Sequence, residues 1–408
     1  MAIIGAGASG VLVAAHVRRA APSLRVAIVD AGARAARGLA YGTPYGAHLL
    51  NVPAGRMSAF VDDPDHFTRW LGAPPSVFAP RSRYGEYLAQ VLDESGAEKI
   101  LGSAVGLTPS WNVHLHDGRV LAARTVVLAL GNLAPADPLK LGDAAPPNYL
   151  RDPWAPGAAQ GLAPDAEILI IGTGLTMIDL VLALRAEGHR GVVHAISRRG
   201  LVPHAHAPAK QPPAPRPLPP APSPLAMLRW IREQSEHGDW RAVIDALRPH
   251  TTKIWQSWTL AQRDSFLRHA RVFWDVHRHR AAPEVAAEVE KLRRQGILNI
   301  HAGRVIAIHE NGDVVTDKRT FHVARVINCT GPASDYATLD LPLVAQLRRA
   351  GWLVPDPLRL GIETDADGRL APGLFTIGPL RRPALWESTA IPEIREQAAA
   401  LAKVVLAS

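Results

Sequence analysis

The chain sets out one arrangement of apolar and polar positions twice. Ala2, Ile3 and Ile4 make a short apolar run that breaks into Gly5-Ala6-Gly7-Ala8-Ser9-Gly10, and "VLVAAHVRRA" continues with apolar residues at helical spacing. A second apolar run, "RVAIVD", closes on Asp30. Residues 167–200, "EILIIGTGLTMIDLVLALRAEGHRGVVHAISRRG", repeat the layout: strand, then Gly172-Thr173-Gly174-Leu175-Thr176, then a helix and a strand ending at Ser197. Met177 stands where the third glycine would be. Ser197 follows it at the same interval that separates Asp30 from Gly10 (177 to 197, as 10 to 30).

A similar tail follows each unit, at residues 111–131 and 304–331. Both read as short strands with an Asp/Asn-Gly hairpin signal, then an apolar strand ending in glycine. Between them, residues 202–224 are too rich in proline for a helix or a central strand and predict an extended surface connector. Residues 225–295 have sparse glycine and helical apolar spacing, which predicts several helices. The expected fold class is α/β, with two Rossmann-like dinucleotide-binding domains. Residues 1–160 and 331–408 would form the first, and residues 161–330, carrying the connector and the helical insertion, would be set into it.

Composition narrows the class. Of 408 residues, 47% are hydrophobic and 20% charged, which is ordinary globular usage with room for two to three domains. No apolar stretch approaches membrane-span length, so no membrane partner is expected. The apolar start has no preceding basic residue and its glycines are spaced for a turn, unlike a secretory leader. The single cysteine, Cys329, excludes an internal disulfide or a paired-cysteine site and suits a reducing cytoplasm. The net charge of +8 favours anionic ligands such as phosphates. No long basic block or aromatic-basic alternation supports nucleic acid as a partner.

The glycine turns carry the chemistry. Gly5 permits a tight turn, Gly7 lets backbone approach a pyrophosphate, and Gly10 lets the helix pack close to its strand. The pyrophosphate then meets helix N–H groups that have no internal partner. Asp30 would accept hydrogen bonds from ribose hydroxyls. In the second unit the acid is gone and Arg198 and Arg199 follow Ser197. Guanidinium groups in place of a carboxylate are what a 2′-phosphate requires, so the second turn reads as an NADPH site. Its alternative is a packed βαβ unit with solvated arginines. Two dinucleotide sites in one chain make sense when a hydride passes from a nicotinamide to a flavin.

Seven stretches, "IIGAGASG", "GLAYGTPYGAHLLNVPAGRMS", "VLALGN", "IIGTGLTMID", "ISRRGLVPHAH", "FWDVHRHR" and "GLFTIGPLRRPALWESTAIPEIREQ", together resemble the bacterial FAD/NAD(P)-binding protein family. These are two-dinucleotide-binding-domain flavoprotein oxidoreductases, similar in layout to flavin-dependent N-hydroxylating monooxygenases. The resemblance runs across nearly the whole chain and is specific for fold and cofactors, not for substrate. It implies FAD at the first turn (Gly5, Gly7, Ala8, Ser9, Gly10, Asp30) and NADPH at the second. It also implies that Asn51, Val52, Arg56 and Met57 lie along the flavin, joined by Val105, Leu130 and Gly131. Gly378, Pro379, Trp386, Glu387, Ser388, Thr389 and Ala390 would lie near the isoalloxazine. Pro392 suits the first turn of the closing helix, whose amino end could stabilise negative charge on reduced flavin. A packing aromatic is the other reading of Trp386.

No catalytic residue can be assigned from these patterns. His277 with His279, and His204 with His206, form His-x-His pairs without an accompanying acid or cysteine set, so no metal is expected. His204 and His206 follow the arginine segment and read as nicotinamide-side contacts; His277 and Arg278 read either as substrate contacts or as part of a structural helix. No Gly-x-Ser-x-Gly elbow is present. Three functions remain: an FAD and NADPH monooxygenase of a small molecule, with amines as one substrate class; an NADPH-linked flavin dehydrogenase or reductase; and a non-catalytic flavin-binding protein. The Baeyer-Villiger fingerprint is missing, and a disulfide relay would need a second cysteine. The arginine pair argues against the non-catalytic reading, which has no use for a phosphate-selective second site. Cavity shape and water access separate the other two.

Overall fold

The computed structural model describes residues 1–32, 36–207, 217–219, 222–236 and 238–407. The repeated pattern becomes two parallel sheets. In the first, the order is Arg369–Ala371, Leu374–Thr376, Val126–Leu128, Ala2–Ile4, Ala27–Asp30 and Glu98–Leu101. Every pairing is parallel except that of Arg369–Ala371 with Leu374–Thr376. Ala2–Ile4, Val126–Leu128 and Leu374–Thr376 are buried throughout, because helices and a second sheet layer cover both faces. On one face pack the helices Ala8–Ala20, Arg81–Ser95 and Ile391–Ala407, through Val11, Leu12, Tyr84, Leu88, Ile394 and Leu401. On the other lie the antiparallel strands Ala104–Thr108, Asn112–Leu115 and Val120–Ala122 and the helix Pro342–Arg349.

The second sheet is wholly parallel, in the order Leu298–Ala302, Val193–Ser197, Ile168–Ile171, Arg325–Asn328 and Tyr149–Leu150. Its first four strands copy the last four of the first sheet in reverse order, with Leu298–Ala302 in the place of the edge strand Glu98–Leu101 and Arg325–Asn328 in the place of Val126–Leu128. All of its strands fall, in chain order, between Val126–Leu128 and Leu374–Thr376 of the first. The expected tails form matching antiparallel layers, the second from Val305–Ile308, Asp313–Thr316 and Thr320–His322. The hairpin signals, however, mark different turns. Asp117-Gly118 joins the second and third strands of its layer, whereas Asn311-Gly312 joins the first and second. Both glycines take positive φ (86° and 94°), the condition those turns impose.

The helical insertion comprises Pro224–Glu236, Trp240–Leu247, Thr251–Ser257, Leu260–His269 and Arg271–Arg278. Asp239 caps one of these through the N–H of Arg241, and Thr259 with Gln262 forms a capping box at another. The next helix, Pro283–Arg294, packs instead on the second sheet through Val285, Val289 and Leu292. Of the proline-rich connector expected over 202–224, residues 208–216, 220 and 221 lie outside the described residues. Its start is tied down: His204 N–H donates to Val276 O (3.1 Å), and His206 N–H donates to Ala281 O (2.9 Å).

The units are clamped together by a buried ion pair. Asp179, on the helix Leu175–Ala186 of the second unit, accepts from Arg81 Nη1 at 2.8 Å, with side chains 7% and 13% exposed. Burial pushes the Asp179 carboxyl up, against the pull of the Arg81 charge. The carbonyl of Asp179 also accepts from His48 Nε2 (2.8 Å), whose Nδ1 meets Thr43 Oγ1 (2.7 Å). Arg81→Ala strands a buried carboxylate and should destabilise the fold by about 3 kcal/mol. Arg81→Met with Asp179→Leu should recover much of that loss. Denaturant unfolding checks both, and an Arg81→Ala protein as stable as the parent would show that the pair clamps nothing.

Candidate functional site

Both glycine turns adopt the expected form, in nearly identical geometry. Gly5 and Gly172 take φ of 106° and 112°, and their N–H groups donate to Val29 O and Ile196 O, each at 2.8 Å. A Cβ on Gly5 would collide with the carbonyl of Ala129, and one on Gly172 with that of Cys329, both just past the returning strands. Gly7 and Gly174 then start the helices, with φ/ψ of −74°/−174° and −83°/−167°. Neither helix start has a side-chain cap or an acidic residue in its first turn, so the N–H groups there are left for an anion. The space beside these glycines is open. A Cβ on Gly174 would meet nothing within 4 Å, and one on Gly7 only Gly38 Cα at 3.9 Å. Gly131 and Gly331, past the returning strands, have φ of 67° and 93° and are likewise unobstructed. The backbone at both turns therefore fits a dinucleotide. Ala8 and Leu175 begin their helices, with Ser9 and Thr176 next in line.

The third position distinguishes the turns. A Cβ at Gly10 would run into Gly5 O and sit 3.3 Å from Ile28 Cδ1, so only glycine allows that approach. Met177 in the matching position is fully buried in the second core, a place its flexible side chain suits. Asp30 accepts from the N–H groups of Ala6 and Gly32, both at 2.7 Å, so the carboxylate braces the turn and retains lone pairs for a further donor. Ser197 Oγ pairs with Thr173 Oγ1 at 2.8 Å and accepts from Gly200 N–H at 3.1 Å; Thr173 Oγ1 donates to Leu201 O at 2.5 Å. Arg198 and Arg199 are exposed beside this network. Arg199 lies 4.8 Å above the Phe273 ring, and Arg198 has no partner among the described residues. A cavity of about 350 Å³ is lined by Gly38, Thr43 and Tyr45 on one side and by Thr176, Leu180 and Ala183, on the helix after the second turn, on the other.

The remaining candidates spread over several elements. Met57 is buried in the first core and Val52 packs against it, while Arg56 is exposed and has no partner among the described residues. Asn51 O accepts from His206 Nε2 at 3.0 Å, a contact between units. Val105 sits where the register shifts between Ala104 and Gly106, close to the end of Ala27–Asp30, and Leu130 packs into the first sheet's second face. Gly378, at φ 78°, has its N–H on Gln397 Oε1 (3.0 Å); a Cβ there would press on Ser9 Oγ at 2.7 Å. The structure thus brings the last strand against the first glycine turn. Pro379 has no N–H to offer, Thr389 is exposed, and Ala390 O accepts from Ile394 N–H at 3.0 Å. Ser388 Oγ and Gln397 Nε2 are buried with no partner among the described residues, polar atoms suited to a bound polar ring.

Trp386 and Glu387 turn toward the helical insertion. Trp386, strained at φ 61°, stacks on Trp255 with centroids 4.8 Å apart and meets Phe266 edge-on at 5.1 Å. Glu387 is enclosed. Its Oε1 accepts from Trp274 Nε1 at 3.2 Å, and Arg278 and His279 lie 3.6 and 3.8 Å from Oε2. Burial pushes this carboxyl up, but the facing His279 and Arg278 outweigh it and bring it down to about 2. Arg278 also reaches Glu393 (3.4 Å), which pairs with Arg248 at 2.7 Å. Arg278 is therefore an internal bridge. His277 joins His204 and Trp240 in an aromatic group, with centroids 4.6 and 4.7 Å away. Sequence reasoning missed Trp255, Trp258 and Trp274, which with Trp386 wall a cavity of about 480 Å³. The density of tryptophan over residues 230–274 was the available signal.

Two largely parallel sheets, each with an open glycine turn between an inner strand and the helix that follows it, define a two-dinucleotide-domain flavoprotein architecture. Residues 2–133 match the model of the FAD-NAD(P)-binding family. The whole chain is similar in fold to L-lysine 6-monooxygenase from Pseudomonas syringae (16% identity, TM-score 0.66, 100% of this chain and 98% of that one). It is also similar to the ornithine N-hydroxylase of Kutzneria sp. 744, whose structure holds reduced FAD, NADP⁺ and L-ornithine (13%, TM-score 0.66, 100% and 98%). A third likeness is to the bacillithiol disulfide reductase of Staphylococcus aureus (14%, TM-score 0.60, 100% and 97%). No curated protein matches the sequence.

Because Glu387 titrates at about 2 in the fold and near 4.5 when free, its stabilising contribution is full above pH 4.5 and disappears as the pH falls through 2. Glu387→Gln should be less stable than the parent at pH 7, by at most about 3 kcal/mol. The gap should narrow between pH 4.5 and 2. Unfolding free energies measured across that range would show it; a gap that stays constant with pH would mean Glu387 is not held ionised by its neighbours.

Proposed function

We propose that this chain is an FAD-dependent NADPH oxidoreductase and, within that class, a monooxygenase of a small molecule. The observation that carries the finer reading is the aromatic chamber against Trp386, in the segment whose neighbours Ser388 and Gln397 hold unpartnered buried polar atoms. Bound FAD supplies two-electron transfer and reaction with oxygen. The chain's residues do the rest. The Gly5–Gly10 turn and the start of Ala8–Ala20 hold the pyrophosphate, and Asp30 takes ribose hydroxyls on its remaining lone pairs. Arg198 and Arg199 pair with the 2′-phosphate of NADPH at the second turn. Trp386 and the insertion keep water from the reacting centre, the condition that separates oxygen transfer from wasteful peroxide release. Likeness in fold to the lysine and ornithine hydroxylases supports this reading.

The second reading is a reductase, favoured by the likeness to the bacillithiol disulfide reductase. A cysteine-pair relay has no residues here: Cys329 is the single cysteine and is buried, and burial together with the charges of Asp179 and Asp152 pushes its thiol well up.

Two measurements test the proposal. FAD-loaded protein is reduced with NADPH under argon and mixed with oxygenated buffer. Slow return of the oxidised flavin colour with little hydrogen peroxide fits a monooxygenase, and immediate return with stoichiometric peroxide fits the reductase. Separately, Arg198→Ala with Arg199→Ala should raise the KM for NADPH about tenfold or more, the loss of roughly 1.4 kcal/mol of charge-assisted bonding, and barely change that for NADH. Equal changes for both cofactors would mean that the arginines do not read the 2′-phosphate.

A further inference from the structure

We infer that the cavity of about 480 Å³ inside the helical insertion binds a neutral aromatic small molecule carrying a single hydrogen-bond donor, and that it is the substrate chamber of the oxidoreductase proposed above. The second half of this inference rests on that reading; the first half stands on the cavity alone. The size is that of a small-ligand pocket, and the wall is built mainly from aromatic and aliphatic side chains, with Trp240, Trp255, Trp258, Trp274, Phe266 and Trp386 prominent. The polar ends of three of these rings are already occupied. Trp255 Nε1 donates to Pro383 O (2.7 Å), Trp258 Nε1 to Pro222 O (2.6 Å) and Trp274 Nε1 to Glu387 Oε1 (3.2 Å). The hydroxyls of Ser235 and Thr251, also in the wall, donate to Ile231 O and Leu247 O of their own helices. What these groups leave for a ligand is chiefly ring faces and aliphatic carbon.

The charges in the wall set the substrate class. No carboxylate lines the cavity among the described residues; Glu387 is bound to Trp274 and flanked by Arg278 and His279, behind the tryptophan wall. An ammonium group would therefore enter without a countercharge, which excludes the side chains and α-amino groups of lysine and ornithine. The basic wall residues, Arg232 and His269, are exposed and so belong to the rim. His277 supplies an acceptor. Its Nδ1 donates to Phe273 O at 2.7 Å, which leaves Nε2 as an acceptor for a phenolic O–H or an arylamine N–H. Aromatic faces with one acceptor match a neutral ring compound with one donor.

Calorimetric titration of FAD-loaded full-length protein with 2-naphthol, L-ornithine and L-lysine tests the inference. The expected result is binding of 2-naphthol and no binding of either amino acid. Ala270→Phe, which fills the cavity, and Leu228→Glu, which places a carboxylate at a half-buried wall position, should each weaken 2-naphthol at least about tenfold. Unfolding temperature reports whether each variant folds. Tighter binding of ornithine or lysine than of 2-naphthol, or unchanged 2-naphthol affinity in the folded variants, overturns the ligand class. Binding uses neither NADPH nor oxygen, so failure of the oxidoreductase reading leaves this result standing. If 2-naphthol binds in the cavity but leaves NADPH-dependent oxygen uptake unaltered, the assignment of the cavity as substrate chamber is overturned.

Discussion

The contact on which both halves of the molecule depend is a carbonyl oxygen laid against a glycine. Ala129 O touches Gly5 and Cys329 O touches Gly172, each closer than any side chain would permit. At these points the first strand turns into its helix while the returning strand passes directly beneath. A Cβ would drive the two apart, and the parallel pairings of Ala2–Ile4 with Val126–Leu128 and of Ile168–Ile171 with Arg325–Asn328 would lose their register. Because the turn is forced to be tight, the N–H groups that open each helix project from the carboxyl end of the sheet with no internal partner. Anion binding thus follows from packing, before any charged side chain is considered.

On this shared frame the units differ where their chemistry would differ. Asp30 accepts from the backbone of its own turn, at the end of the strand after the first glycine turn. In the second unit, Ser197 bonds Thr173 and Gly200, a neutral brace that lets Arg198 and Arg199 extend without a competing acid. The third position follows the same logic. Gly10 lies against Gly5, whereas Met177 is buried in the second core with a side chain that adapts to its surroundings.

The helical insertion departs most from the repeat and is the least simple energetically. It joins the second unit to the closing segment of the first through Trp255 with Pro383, Thr252 with Leu385, and Arg248 with Glu393. Buried Arg278 and Glu387, with the partly buried His279 and Glu393, back the aromatic wall. Buried charges of this kind rarely add net stability, but they tolerate only one arrangement. Here that arrangement turns Trp386 toward the cavity, so the electrostatic network acts on the chamber by orienting its wall.

The glycine spacing, the helical and strand periodicities and the closing Asp30 or Ser-Arg-Arg were all legible in the sequence, because each is a local requirement of backbone geometry or charge. From them came the two βαβ units, the returning strands and the character of the insertion. The linear pattern could not show that Asp117-Gly118 and Asn311-Gly312 close different turns, since a hairpin signal marks a turn without naming its strands. Nor could it place Asp179 opposite Arg81, Ser9 under Gly378, or Trp386 on Trp255: these pairs are distant in the chain and meet only when sheets and helices pack. Glu387 and Trp386 show the limit most clearly. Their sequence neighbourhood pointed to the flavin, whereas their side chains are committed to the insertion, a choice made by burial and pairing with residues more than a hundred positions away. Local geometry therefore determined where nucleotides can sit, and tertiary packing alone decided the shape and polarity of the space beside them.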